Sequence, residues 1–357
     1  MSEINYQARR ENIREWMSGE DAETFIVASE NNIRYLSGFT GEGFLLLEAD
    51  GATVVTDSRY ELQAGEEAGD LNLIVARNGH LDAVCEYIIQ SAENSVAFEA
   101  EAMTYAQYEK LSEKIGAELL QSARGVVEKQ RVCKDPEEIE QIRRAAEMTD
   151  EALTSLLIQL SPGATERETA FELQRRILNA GADDIAFDII AASGPSAANP
   201  HAAPGQRRLC RGDMVKIDTG AKVNGYCSDI TRTVFLGKPT EQFVEIYRLV
   251  KQAQKAALAE VRAGVKACDV DATARDIISE GGYGEKFGHG LGHGVGLDVH
   301  EGPRLSGKSD DVLQKGMVVT VEPGIYIKDW GGVRIEDLVV VGDDGCEILT
   351  QTPKADY

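Results

Sequence analysis

Two stretches near the middle and end of the chain alternate apolar and polar residues, as paired strands do. The first, Met214 to Val234, reads as a β-hairpin. Met214–Asp218 alternates, Tyr226–Val234 is rich in β-branched residues, and Asn224-Gly225 sits between them as a tight-turn dipeptide. The second runs Val318–Lys328 and Gly332–Val341 around Asp329-Trp330-Gly331. Helical periodicity comes before each hairpin. A helix starts at Asp135, with Pro136 at its first position and Glu137 and Glu138 at the positive dipole end, and runs to Leu160. Ser161-Pro162-Gly163 breaks it, and Thr165 with Glu168 forms a capping box for a second helix ending near Ala180. A strand Ile185–Ala191 and a turn-rich loop, Ser193–Gly205, follow. Helices Thr240–Val261 and Val270–Ser279 then precede a glycine-rich segment, Gly281–Gly296, and the second hairpin. Two helices then strands, twice over, predicts two similar halves about a pseudo-twofold axis.

Residues 1–125 read as a smaller α/β domain. Helices are expected at Tyr6–Met17, from Tyr60, at Leu81–Ser91 and at Thr104–Lys114. Strands are expected at Phe25–Ala28, Leu71–Ala76 and Ser95–Phe98, with a hairpin of Phe44–Glu48 and Thr53–Thr56. A linker falls at 126–134, and the larger domain spans 135–357. Asp57-Ser58-Arg59-Tyr60 is a polar cluster at a strand end. His80 follows Gly79 at a helix start and reads as a surface or capping residue.

Composition narrows the function classes. The 357 residues carry a net charge of −23. The acidity is spread: 12 basic against 24 acidic residues in 1–134, 25 against 36 in the rest. Neither part has the basic footprint of a nucleic-acid or anionic-membrane binder. No apolar run approaches the ~20 residues that span a bilayer, and the N-terminus has no signal-like apolar core. The six cysteines are scattered without a CxxC pair, which fits reduced thiols and a cytoplasmic location. Cys227, two residues from Asp229, reads as a core thiol, since nothing near it would activate a thiolate.

The candidate chemistry lies on the hairpins and the glycine-rich segment. Asp218 and Asp229 stand 11 residues apart across the first turn, Glu322 and Glu336 14 apart across the second. In a hairpin such positions come to face each other. Facing carboxylates in an apolar setting repel unless a cation or proton lies between them. The segment FGHGLGHGVGLDVHEGP carries His289, His293 and His300, three of the chain's five histidines. It fits no GxGxxG frame, so phosphate binding is rejected. Asp218, Asp229, His293, Glu322 and Glu336 offer four carboxylates and one imidazole, matching two divalent cations. Such donors suit Mn²⁺, Co²⁺, Zn²⁺ or Fe²⁺, and the lack of thiolates argues against a structural zinc. A single Asp218-Thr219-Gly220 triplet excludes an aspartic protease, which needs two.

The series DTG…SDITRT, HGLGHGVGLDVHE, VEPGIY and VRIED resembles the pita-bread metallopeptidases, in their Xaa-Pro aminopeptidase and prolidase branch. The resemblance covers about 125–357. It implies a pita-bread catalytic domain preceded by an N-terminal domain of the creatinase/prolidase type. It implies that Asp218, Asp229, His293, Glu322 and Glu336 are dinuclear metal ligands, with Asp229 and Glu336 bridging and Mn²⁺ the first-choice metal. His201 and His300 would contact the substrate or tetrahedral intermediate, Glu322 would also move the proton, and His289 and Arg334 would line the pocket. Ser196 stands where this branch often has asparagine. The implied substrate is a small peptide with proline second, and the implied assembly a homodimer. The first expectation is an Xaa-Pro aminopeptidase releasing the N-terminal residue. The alternative is an Xaa-Pro dipeptidase, which differs only in substrate length. A methionine aminopeptidase fits less well because of the extra domain. The intact ligand set speaks against a creatinase-like C–N hydrolase and against a catalytically dead binding module.

Overall fold

The computed structural model describes residues 4–357. Residues 1–3, within the expected N-terminal domain, lie outside the described residues. The chain divides into two compact units that part between Arg131 and Val132. Within the segment expected as a linker, Val126–Arg131 is helical and falls in the first unit.

The first unit is a six-stranded sheet with helices. The strand order is Asn72–Ala76, Ala52–Asp57, Phe44–Glu48, Thr24–Val27, Val96–Glu99, Leu120–Ala123. The hairpin pairs antiparallel with Leu47 opposite Ala52, and Phe44–Glu48 also pairs antiparallel with Thr24–Val27, while the remaining pairs toward both edges are parallel. Ile26, Leu46, Val55, Val84, Cys85 and Leu111 pack a core on the sheet. The helix Glu30–Ser37 has no counterpart in the sequence reading. Its eight residues hold two asparagines and too short an apolar stripe to show helical periodicity.

The second unit repeats two helices and a set of strands. Helices Pro136–Gln159 and Glu166–Asn179 begin where their caps predict. The Glu138 carboxylate accepts the Asp135 N–H at 2.9 Å, and Thr165 and Glu168 complete a capping box. The expected strand Ile185–Ala191 is instead two short strands, Asp184–Ile185 and Ile190–Ser193, which pair in different sheets. Helices Glu241–Glu260 and Ala267–Glu280 open the second half. Each half has its own apolar core. One is built on Leu153, Leu173, Val215 and Ile230, the other on Phe243, Val250, Val319 and Val339.

The first hairpin turns at Asn224 and Gly225, both with positive φ (47° and 79°), as a primed turn requires. Ala221–Val223 pairs with Tyr226–Cys227, and Met214–Thr219 with Ile230–Phe235. At the junction Gly220 lies against the other strand. A Cβ there would stand 1.8 Å from the Ser228 carbonyl oxygen, so only glycine lets the strands close. Asp218 faces Thr231, which makes Asp229 its diagonal neighbour rather than its direct opposite. In the second hairpin Val321 faces Asp337 and Gly324 faces Arg334, so Glu322 and Glu336 fall at facing positions.

The hairpins are locked to each other. Thr231 Oγ1 donates to Glu336 Oε2 at 2.6 Å, and Thr233 Oγ1 donates to the Arg334 carbonyl at 2.9 Å. Buried Arg232 pairs with buried Asp337 at 2.8 Å. These bonds bring the carboxylates of both hairpins into one place.

Candidate metal centre and active site

The cleft between the two halves of the second unit measures about 1240 Å³. All nine residues singled out for chemistry line it: His201, Asp218, Asp229, His289, His293, His300, Glu322, Arg334 and Glu336. Asp229, His293 and Glu336 form its centre, each offering a ligand atom within 4.8 Å of the others. His293 Nε2 stands 3.4 Å from Glu322 Oε1 and 3.6 Å from Asp229 Oδ2. His293 Nδ1 lies 3.1 Å from the Gly294 carbonyl. That carbonyl accepts a hydrogen bond from Nδ1–H, which leaves the Nε2 lone pair facing the carboxylates. Such a tautomer suits a metal ligand.

The glycine-rich segment is held from behind. Asp271, on helix Ala267–Glu280, accepts the Leu291 N–H at 3.0 Å. Arg275, paired with Asp271, donates to the carbonyls of Phe287 (2.9 Å) and His289 (2.8 Å). Gly292 lies so close to the next strand that a Cβ would stand 2.0 Å from the Thr320 carbonyl oxygen. The glycine spacing thus serves close packing beside the site, not phosphate binding.

The electrostatics are those of crowded anions. Burial raises the pKa of Asp229 well above the carboxylate range, and the charges of Glu336, Asp218 and Glu322 raise it further. Burial likewise raises Glu336, and it lifts Glu322 to about 7. Burial lowers His293 to about 4, with nearby His300 adding to the effect. Arg334 is 3% exposed and is the one guanidinium buried among these acids among the described residues. It bonds Asp218 Oδ2, Thr231 Oγ1 (2.9 Å), the Tyr326 hydroxyl (2.9 Å) and the Pro200 carbonyl (3.3 Å). The other Asp218 oxygen, Oδ1, is buried without a hydrogen-bond partner. A bare buried carboxylate oxygen beside carboxylates and an imidazole fits a divalent cation.

Three residues at or behind the cleft wall were not legible as single letters. Tyr326 joins His289 Nε2 (3.0 Å) to Arg334, and burial pushes its hydroxyl up to about 12. Lys216 is wholly buried on the strand that bears Asp218, two positions away and so on the same face. Burial pushes its ammonium down to about 6. Arg304 faces His293 across the strand pair and lines the cleft. A lysine inside an alternating buried strand was the one available sequence signal. Tyr326 and Arg304 had none.

His201 is exposed on the cleft wall, and the His300 ring lies 4.3 Å from that of His293. Cys227 is buried with its thiol 3.7 Å from the Leu297 carbonyl. Asp57 pairs with Arg59 (2.8 Å) and His80 (3.0 Å) within the first unit. Ser196 sits in the short 3₁₀ turn Gly194–Ala198. Among the described residues, no helix is long and apolar enough to cross a membrane.

Comparison with known proteins bears on this geometry. Residues 9–133 match the creatinase/prolidase N-terminal domain, and 140–343 match metallopeptidase family M24. The chain is 39% identical to the Xaa-Pro dipeptidase of Pyrococcus furiosus over 97% of its length and 98% of that protein's. The solved Xaa-Pro dipeptidase from Bacillus anthracis superposes with a TM-score of 0.95 at 39% identity, covering 98% of this chain and 99% of that one. The X-Pro aminopeptidase from Thermotoga maritima MSB8 gives 0.87 at 37% identity, covering 94% and 97%. With its pita-bread fold, its creatinase/prolidase N-terminal domain and these relatives, the chain belongs to metallopeptidase family M24 and is a peptidase.

Proposed function

We propose that this peptidase cleaves Xaa-Pro dipeptides into the first residue and free proline. The observation that carries the reading is the match, along nearly the whole chain, to proteins described as Xaa-Pro dipeptidases. The expectation of an Xaa-Pro aminopeptidase thus gives way to the reading held as its alternative. Arg304 supports the change. A dipeptide places its proline carboxylate inside the cleft, where a cation is needed. Arg304 lines the cleft, and its side chain bonds no carboxylate among the described residues.

In this reading Asp218, Asp229, His293, Glu322 and Glu336 hold two divalent cations, with Mn²⁺ preferred over Co²⁺, Zn²⁺ and Fe²⁺. When bound, the ions supply Lewis-acid activation of water and polarisation of the scissile carbonyl. The chain's own groups do the rest. Asp218 keeps Oδ2 on Arg334 and offers its free Oδ1. Glu322 takes the proton of the attacking water and returns it to the proline nitrogen, which has no N–H of its own in the peptide. His201 and His300 donate to the developing oxyanion, a contribution of about 3–4 kcal/mol for one well-placed donor. His289, held by Tyr326, and Arg334 shape the pocket wall.

Hydrolysis of Ala-Pro and Ala-Ala, before and after chelation, tests the reading. Ala-Pro cleavage that stops on chelation and returns with Mn²⁺, with Ala-Ala slower by at least tenfold, is the expected result. Equal rates on both peptides would reject proline specificity, and full activity in chelator would reject the metal role.

A further inference from the structure

The segment that carries His201 has little regular structure of its own. From Asn199 to Arg207 it forms no helix or extended strand, so side-chain anchors decide where it lies. At its far end Glu166 Oε2 accepts the Gly205 N–H at 3.1 Å. At its near end the anchor is Lys216. Its Nζ donates to the Asn199 carbonyl at 2.7 Å and to the Pro200 carbonyl at 3.1 Å. The same Nζ sits 5.0 Å from the centroid of the Tyr326 ring. The Pro200 carbonyl also accepts from Arg334 Nη1 at 3.3 Å. The Asn199 side chain continues the link by accepting the His201 N–H at 3.1 Å.

Lys216 itself does not line the cleft, and its surface is 0% exposed. An amine buried this deeply costs desolvation, and an apolar side chain of equal length would avoid that cost. Its two hydrogen bonds go to backbone carbonyls of a loop, not to a carboxylate. The return for burying it is therefore the fixed position of that loop.

We propose that Lys216 is a positioning residue: it pins the Asn199–Pro200 backbone and thereby holds His201 against the reacting centre. The catalytic part of this inference rests on the peptidase reading above, whereas its structural part does not.

Lys216→Met keeps the apolar stem and removes the amine. In the full-length protein loaded with Mn²⁺, metal content should match the unsubstituted chain. The value of kcat/KM should fall roughly 10–100-fold, the range for misplacing one catalytic group by about an ångström. The fall should lie in kcat. In a His201→Ala background the same substitution should cost less than twofold, because the group it positions is gone. Hydrogen exchange should quicken at least tenfold in residues 199–206 and stay unchanged in the hairpin strands. Lys216→Gln, which keeps a donor, should fall between the two, and it carries the same cycle if the Met variant does not fold. Equal losses with and without His201 would overturn the inference, as would unchanged exchange in 199–206. If the unsubstituted protein cleaves no Xaa-Pro peptide, the Xaa-Pro reading fails, and the exchange measurement still decides the role of Lys216.

Discussion

Arg304 and Arg334 are both guanidinium groups of the cleft, yet their surroundings give them different work. Arg334 spends its donors on Asp218, Thr231, Tyr326 and Pro200. It neutralises one acid and braces the wall. Arg304 is exposed and faces His293 across two strands; burial chiefly lowers the His300 pKa, with the charge of His201 and then that of Arg304 adding to it. Arg304→Ala should therefore raise KM for Ala-Pro by roughly 10-fold or more, the loss of one charge-assisted bond of about 1.5–3 kcal/mol. It should leave KM for Ala-Pro-Ala within threefold, since a longer peptide carries its carboxylate elsewhere. Steady-state kinetics on the two peptides check this, and equal KM changes would contradict the assignment. At this scale the sequence was most legible where chemistry clashed with context. Glu322 and Glu336 stood out as charges inside apolar β runs. Tyr326 is an ordinary strand residue by its letters, and only packing shows that it holds His289.

At the scale of elements, helices announced themselves through caps. Asp135-Pro136 and Thr165-x-x-Glu168 begin helices where their hydrogen-bonding logic says they should. The turns were equally legible, since Asn224-Gly225 supplies the two positive φ values that a primed turn needs. Register was less so. Asp218 and Asp229 meet diagonally, because the pairing runs through the close approach at Gly220. The strand expected at Ile185–Ala191 divides because its two ends pair with strands of different sheets, a tertiary demand that local propensity does not encode. The glycine-rich segment yields a direct test. Gly292→Ala puts a Cβ 2.0 Å from a carbonyl of the neighbouring strand, whereas Gly288→Ala meets nothing within 4 Å. Gly292→Ala should destabilise the protein by about 1–3 kcal/mol or more and weaken metal binding at His293. Gly288→Ala should change stability by less than about 0.5 kcal/mol. Thermal melts and metal titration of the two variants report both quantities, and equal behaviour would mean that the close approach at Gly292 does not matter.

For the whole molecule, the pattern of two helices then strands, occurring twice, foretold two halves, each with its own core. The composition foretold an acidic chain with no basic footprint. Neither could foretell how Thr231 and Thr233 would tie one hairpin to the other and gather four carboxylates and an imidazole along one cleft. That convergence depends on contacts more than 100 residues apart in sequence. Substrate length was also illegible, because the ligand motifs fit both Xaa-Pro dipeptidases and aminopeptidases, and Arg304, which we propose holds the proline carboxylate, sits outside them. The most direct test is the ratio of kcat/KM on an Xaa-Pro dipeptide to that on the matched Xaa-Pro-Yaa tripeptide, with the protein loaded with Mn²⁺. The account predicts at least a tenfold preference for the dipeptide, about 1.4 kcal/mol in the transition state. A tenfold preference for the tripeptide would contradict it and identify an aminopeptidase instead.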